Sequence, residues 1–386
     1  MITTYSRRAL LALMMAHCAG MLDLVALPVW VGTLVARYGF NAQQAGLLAS
    51  LFLGGAVLAS VMLARRFDPA RARLNVTLGL SLSALLFALA ALTHHFVLLA
   101  VLHAASGAST GMALSVTHGT LARGSHPHRG FALVGMALGV FAILFLGSAP
   151  PVVASHGGAA LFWLFAGVMA AGATACALAF PRPAPDADIA RPVEGSRPPV
   201  PRAVWYGIVG IACMGLVQSM TFSFLERVGS DRGFGLPAVT GVLIALGVVN
   251  LFPAPLAALL EKRLSARAVL VTGPLLQGLL VVLIMSSTQF APYAAAASVF
   301  AAVMIFTHTF AFGLMAQLDR SGRAMAATPA MLMTGAAIGP ILGGTLVQGW
   351  GYASLGSVAI GLALIASLSF SRLPRIAIVS SQEVLA

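Results

Sequence analysis

Charged side chains are scarce in this chain: 8% of 386 residues, against 59% hydrophobic and a mean hydropathy of +0.96. That leaves too little polar surface to cover a water-soluble globule, and the solvent it implies is a bilayer. Acids are scarcer still, 10 against 22 lysines and arginines, for a net charge of +12. Such an excess suits nucleic acid only when the bases gather on one solvated surface beside aromatic or groove-reading motifs. Here the arginines fall between hydrophobic runs. Cysteine is limited to Cys18, Cys176 and Cys213, all in apolar runs without CxxC or Cys/His spacing, so neither a disulfide framework nor a metal site is indicated. A nucleotide-binding P-loop is missing, and so is any nucleophile-and-base constellation, which speaks against an ATP pump or an enzyme and calls for no cofactor. Ser6-Arg7-Arg8 imitates a twin-arginine export signal, but no small-residue cleavage site follows and the apolar run is too long, so it reads as a cytoplasmic anchor.

What is present is long hydrophobic runs. A helix needs about 20 apolar residues to cross about 30 Å of hydrocarbon with its backbone groups paired internally. Twelve such runs start near residues 10, 42, 75, 97, 131, 159, 203, 238, 268, 292, 325 and 354. With the N-terminus inside, the cytoplasmic segments carry Arg7, Arg8; Arg65, Arg66, Arg71, Arg73; Arg123, Arg129; Arg182, Arg191, Arg197, Arg202; Lys262, Arg263, Arg267; Arg320, Arg323; Arg372 and Arg375. Only Arg37, Arg227 and Arg232 fall on the other side, a bias that predicts both termini cytoplasmic. The expectation is a multi-pass, monomeric protein of a bacterial inner membrane.

Residues 181–202, PRPAPDADIARPVEGSRPPVPR, replace the apolar background with prolines and charges and read as a linker. It divides the chain into 1–180 and 203–386, each with six spans. Sliding one half along the other by 194 to 196 residues sets Gly39-Phe40 on Gly233-Phe234, Gly46 on Gly241, Arg129 on Arg323, and the loop Ser155-His156-Gly157-Gly158 against Gln348 to Tyr352. Two parallel six-span repeats around a central pathway is a transporter architecture.

Two local motifs sharpen this. The loop after the second run reads Leu63-Ala64-Arg65-Arg66-Phe67-Asp68-Pro69-Ala70-Arg71. The eleventh run contains Gly335-Ala336-Ala337-Ile338-Gly339-Pro340-Ile341-Leu342-Gly343-Gly344, with glycines that let helices approach closely and a proline that bends the helix. With six plus six spans and related halves, the chain resembles the major facilitator superfamily over essentially its full length. Its loop signature, roughly G-x-L-A-D-R-x-G-R-R, is matched in part, with Arg65 where the acid belongs and Asp68 displaced. The resemblance makes Arg65, Arg66, Asp68 and Arg71 candidate gating residues, against ordinary positive-inside charge as the alternative. The eleventh-run motif fits the superfamily pattern G-x-x-x-G-P-x-x-G-G, making Gly335, Gly339, Pro340, Gly343 and Gly344 candidate packing and hinge positions. In proton-coupled drug exporters that pattern marks span five, where this chain offers Gly135 and Gly139 without the Gly-Pro pair, so the exporter branch stays open.

The remaining candidates are polar groups in the runs. Asp23, near the middle of the first run, reads as the only formal charge in the interior of any span, at an insertion cost of roughly 2.5 to 3.5 kcal/mol. A carboxyl whose hydration changes as a cavity opens to one side or the other can carry a proton; an uncharged Asp bonded to a neighbouring helix is the alternative. His17 lies about 120° round the helix from it and reads as a poor partner. The resemblance places spans one, four, seven and ten around a central cavity, with His103, Thr110 and His118, Met214 and Gln218, and Met304 and His308 as substrate contacts. His103 and His118 stand about 22 Å apart along the helix and cannot share a small substrate. Glycines beside them fit tight packing equally well. No lysine or arginine sits inside a run, which disfavours strongly anionic substrates.

The expected function is proton-coupled secondary transport of a small organic or amphipathic molecule, with export ahead of uptake by symport and a transporter-like sensor as the alternative class. About 2.3 kcal/mol per charge per 100 mV supports somewhat over tenfold accumulation per proton at about 1.4 kcal/mol per decade.

Overall fold

The computed structural model describes residues 5–64, 68–124, 127–181, 201–261, 263–318 and 323–374. Among them there is no strand, and twelve stretches are long and apolar enough to cross a membrane. The helices are α1 (Arg7–Gly20), α2 (Leu22–Tyr38), α3 (Ala42–Ala64), α4 (Ala72–Ala91), α5 (Phe96–Ala122), α6 (Pro127–His156), α7 (Ala159–Ala179), α8 (Arg202–Asp231), α9 (Leu236–Val249), α10 (Pro253–Leu260), α11 (Ala266–Ser286), α12 (Phe290–Leu318), α13 (Arg323–Trp350) and α14 (Ala353–Ser371). Spans 1 and 8, read from the sequence as single helices, are each broken. Span 1 breaks at Met21, between α1 and α2, and span 8 breaks ahead of Pro253, which has no N–H to continue the ladder.

Local chemistry sets the helix ends. The Ser6 hydroxyl accepts the Ala9 N–H at 3.2 Å and starts α1. Asn41 and Gln44 exchange side-chain and backbone bonds at 2.8 and 3.2 Å, a reciprocal cap that starts α3. Between α2 and α3 the chain turns at Gly39 with φ +69°, and between α8 and α9 at Gly233 with φ +73°. Gly157 and Gly351 repeat the device with φ of +84° and +75°. In each pair the two glycines stand 194 residues apart, so the repeat read from the sequence recurs as the same left-handed turn in both halves.

Helix packing repeats too. Span 1 packs on span 6 as span 7 does on span 12, span 3 on spans 4 and 6 as span 9 does on spans 10 and 12, and span 2 on span 4 as span 8 does on span 10. The result is two pseudo-symmetric bundles of six spans each, an all-α membrane fold. The two sets meet chiefly where α3 lies on α13, α2 on α8 and α6 on α9. We call the end of the bundle where α1 begins the near end, and the opposite end the far end. Close approaches between the sets gather in the far half of α2, α3, α8 and α13, where Gly32 faces Glu226, Gly46 faces Pro340 and Gly344 faces Ala42. The Ile341 N–H donates to Ser50 Oγ at 3.0 Å and Gln43 Nε2 to Thr345 Oγ1 at 3.3 Å across the same seam. The α6–α9 contact sits nearer mid-height, with Ile143 on Gly247 and Ile244 on Gly147.

Glycine sets how close these helices come. A Cβ on Gly107 would overlap the Phe52 carbonyl, one on Gly111 the Ala56 carbonyl, and one on Gly55 would come within 2.5 Å of the Ala104 carbonyl, so α3 and α5 touch backbone to backbone. We expect Gly107→Leu to lower the melting temperature in detergent by the equivalent of about 1–3 kcal/mol of overpacking or more. Gly54→Ala, where a Cβ would meet nothing within 4 Å, should leave it unchanged. Differential scanning fluorimetry of the two variants checks the contrast.

Candidate functional site

Asp23 lies in the first turn of α2, directly after the break at Met21, and is 7% exposed. Its carboxyl is within bonding reach of the backbone N–H groups of Leu24 and of Asp23 itself. Five residues on, Pro28 has no N–H to offer the Leu24 carbonyl, so the helix around Asp23 is irregular on both sides. Among the described residues no cation comes within ion-pair distance of it. The arrangement is a buried carboxyl at the start of a helix segment, near the middle of a span whose 32 residues run from Arg7 to Tyr38.

A second carboxyl, which the sequence reading did not single out, stands toward the far end of α8. Helix α8 continues unbroken to Asp231 and carries Glu226 and Arg227 within the seventh stretch. Ser230 Oγ donates to Glu226 Oε1 at 2.7 Å, and Oε2 points at Gly32 of α2. Helix α8 runs 30 residues from Arg202 to Asp231, and Glu226 stands near its end, where hydropathy alone does not single it out. What a single sequence could not show is that Gly32 is the surface Glu226 meets.

The polar groups of α5 separate into different environments. His103 is 1% exposed, with rings of Trp30, Phe87 and Phe162 at 5.4, 6.3 and 5.4 Å, and its Nδ1 lies 2.7 Å from the Leu99 carbonyl. It packs in an aromatic cluster of the first six spans. Thr110 Oγ1 bonds Ser83 Oγ of α4 at 2.9 Å, fully buried. His118 Nε2 meets His17 Nδ1 of α1 at 3.1 Å, and its ring sits 5.6 Å from Phe131 of α6. His17 had been set aside as a partner for Asp23; its partner is His118, a pairing that depends on which helices are neighbours.

In the second half, Gln218 is 8% exposed and its Oε1 accepts from Gln277 Nε2 of α11 at 3.1 Å. The same amide lies 3.3 Å from the Met214 carbonyl, so Met214 and Gln218 both hold Gln277, a residue the sequence reading did not single out. Met304 is buried with Met214 and Met315 in an apolar cluster. The His308 ring leans toward the Met304 carbonyl one turn back and lies 4.9 Å from Phe312.

Of the gating candidates, Arg65 and Arg66 lie outside the described residues, as does the linker over 182–200. Asp68 caps the short turn Pro69–Arg71 through the Ala70 N–H at 2.9 Å and lies 3.6 Å from Arg71, an exposed local pair. The glycines of α13 face two helices. Gly335, Gly339 and Gly343 are closed by Ala212, Ser219 and Met220 of α8, while Gly344 is closed by Ala42, and the Pro340 carbonyl meets Gly46, both across the seam.

The Gln218–Gln277 pair gives a direct measurement. Each single change to leucine leaves one buried amide without its partner, whereas the double change removes both. A double-mutant cycle by thermal unfolding should return a coupling of about 0.6 kcal/mol and no more than about 1.7 kcal/mol, the range for hydrogen bonds between membrane helices.

Comparison with known proteins bears on the whole architecture. No curated protein matches the sequence. Among solved structures, the fold is similar to a bacterial homologue of the human lysosomal transporter Spinster. In its inward-facing, occupied form the TM-score is 0.68 at 13% identity over 94% of this chain and 93% of that one. In the inward-facing, unoccupied form it is 0.70 at 15% identity over 97% and 100%. A mutant of the nucleoside transporter NupG gives 0.75 at 10% identity over 95% of this chain and 99% of that one. The family model described as Major Facilitator Superfamily matches residues 11–316. With twelve apolar helices in two related sets of six, this integral, multi-pass membrane protein belongs to the major facilitator superfamily.

Proposed function

We propose that the chain is a proton-coupled secondary transporter that exports a small neutral, cationic or amphipathic organic molecule by alternating access, with Asp23 as the protonation switch. The observation that carries this reading is a buried carboxyl at the middle of span 1, set in an irregular helix segment and facing no cation among the described residues. An ionised aspartate in that position is costly, so a proton is the partner that neutralises it most simply. When the cavity opens and water reaches Asp23, the ionised form becomes tolerable and the proton can leave. The His17–His118 pair adds exchangeable N–H groups about 9 Å nearer the near end along the same span.

The reading takes the near end and both termini as cytoplasmic, supported by the bias of the arginines toward that side. The close contacts at the far end then describe an outer gate that is shut, the state named for the Spinster homologue. Residues 1–180 and 203–386 are the two bodies that rock, joined by the linker between them. Export is favoured over uptake because the buried groups beside Gln218 and His308 are methionines and aromatic rings, which adapt to varied apolar shapes.

Purified protein in vesicles, with a panel of organic cations and neutral amphiphiles and the pH gradient imposed in either direction, tests the reading. We expect wild-type protein to accumulate substrate only when the proton gradient opposes the substrate flux. We expect Asp23→Asn to lose gradient-driven accumulation, by about tenfold or more, while keeping downhill exchange. Wild-type coupling in Asp23→Asn would remove Asp23 from the mechanism, and accumulation only with the gradient reversed would make the protein an importer.

A further inference from the structure

The far-end seam between α2 and α8 is closed by an acid. Glu226 stands one turn before the end of α8, and a Cβ on Gly32 would overlap its Oε2, so the carboxyl occupies the place where a side chain on α2 would be. In this arrangement the Glu226 carboxyl uses the space that the missing Gly32 side chain leaves, and a side chain there would have to turn it aside. The one hydrogen bond Glu226 makes to a side chain is from Ser230, one turn on.

Among the described residues, the charged and titratable groups around it leave it without a cation within ion-pair distance. On its own helix, Arg227 is held by Asp231 at 2.7 Å, and Asp231 also accepts from the Tyr352 hydroxyl at 2.6 Å. From α12, the Tyr293 phenol faces Glu226 but donates its proton to the Leu225 carbonyl at 2.7 Å. Arg232 donates to the carbonyls of Ile284 and Met285. Helix α2 presents Gly32, and the arginine at its end, Arg37, donates to the Ala154 carbonyl at 3.3 Å. Each nearby cation is therefore committed to another acceptor.

We propose that Glu226 is a second proton-binding carboxyl of this transporter, which seals the far-end seam when protonated against Gly32 and parts it when ionised. Glu226 is partly exposed beside the exposed Ser230. A neutral carboxyl can press against α2 without a counter-ion, whereas an ionised one gains from the fuller hydration that parting of α2 and α8 supplies. Proton binding therefore favours the closed seam, and rising pH favours the open one. Span 1 then meets protonatable groups at three heights: His17 with His118, Asp23, and Glu226 about 13 Å beyond Asp23 along the helix. The proton that seals the seam stays on Glu226 and is distinct from the one that Asp23 carries. The far side is the outer one on the orientation proposed above, and the inference rests on that transport reading.

The test reads seam opening rather than flux. Cys18, Cys176 and Cys213 are replaced by serine, and Val29→Cys, one turn from Gly32 and buried, serves as reporter. Asp23→Asn is included so that any remaining proton dependence belongs to another group. Labelling by a membrane-impermeant maleimide from the far face of oriented vesicles is followed from about pH 5.5 to about pH 8.5. With Glu226 present, labelling should rise with pH by about fivefold to tenfold, and with Glu226→Gln it should stay low throughout. A flat profile with Glu226 present, or a rise that survives Glu226→Gln, overturns the proposal. A second arm checks the seat itself. Gly32→Ala should raise labelling at every pH by displacing the carboxyl, and adding Glu226→Ala should bring it back down; failure to do so also overturns it. Size-exclusion chromatography confirms folding of each variant. Flux in Asp23→Asn, measured separately, decides the coupling role of Asp23, so the two ideas fail independently.

Discussion

Hydrocarbon offers a peptide group nothing to bond, so every span closes its own backbone ladder, and helices are free to approach as near as their side chains allow. In this protein glycine decides how near. Along α3 and α5, and along α8 and α13, Cβ-less positions lie on the carbonyls of the neighbouring helix, and dispersion contact replaces the hydrophobic drive that lipid cannot supply. The same device works across the seam, where Gly46 and Gly344 bring α3 and α13 together. Tight packing within each set and a glycine-smoothed contact between sets is a combination suited to two bodies that move against each other. The breaks at Met21 and before Pro253 interrupt spans 1 and 8, each of which also belongs to an inter-set contact.

That dense packing constrains the polar groups. Several of them are tied to a partner on a neighbouring helix: Ser83 to Thr110, His17 to His118, Gln218 to Gln277, Tyr293 to the Leu225 carbonyl. Paired in this way they orient helices at small cost. The two carboxyls differ. Asp23 stands at the start of a helix segment and Glu226 accepts from one serine hydroxyl, and among the described residues neither has a cation within ion-pair distance. In the proposed mechanism this shortage is what makes protons matter, because the charge state of each acid then follows its hydration, and hydration follows which end of the bundle is open.

The repeat shows where the halves have diverged. Paired turn glycines persist at an offset of 194, yet Asp23 corresponds to Gln218 and Gly32 to Glu226 at offsets of 195 and 194. Gly46 is filled by Pro340 across the seam, while its counterpart Gly241 meets nothing within 4 Å. The turn glycines keep the symmetry because both bundles need the same reversals of the chain. Acids break it, and Gly32 and Glu226, as counterparts on spans 1 and 7, meet each other at the contact between the sets.

Span number, the broad limits of each helix, the six-plus-six repeat and the family pattern were all legible in the sequence, because hydropathy over about 20 residues and fixed glycine offsets are local quantities that one chain carries. Asp23 was legible for the same reason: a charge within a hydrophobic run stands out by composition. Neighbours were not. The partners His118 for His17, Gln277 for Gln218 and Gly32 for Glu226, and the placing of His103 among aromatic rings, depend on which helix faces rest together, and identical apolar faces allow many such arrangements. Glu226 escaped notice because it stands near a helix end, where hydropathy alone cannot separate an interfacial acid from a buried one. Only the tertiary packing, which sets α2 against α8, decided that this carboxyl lies in a seam.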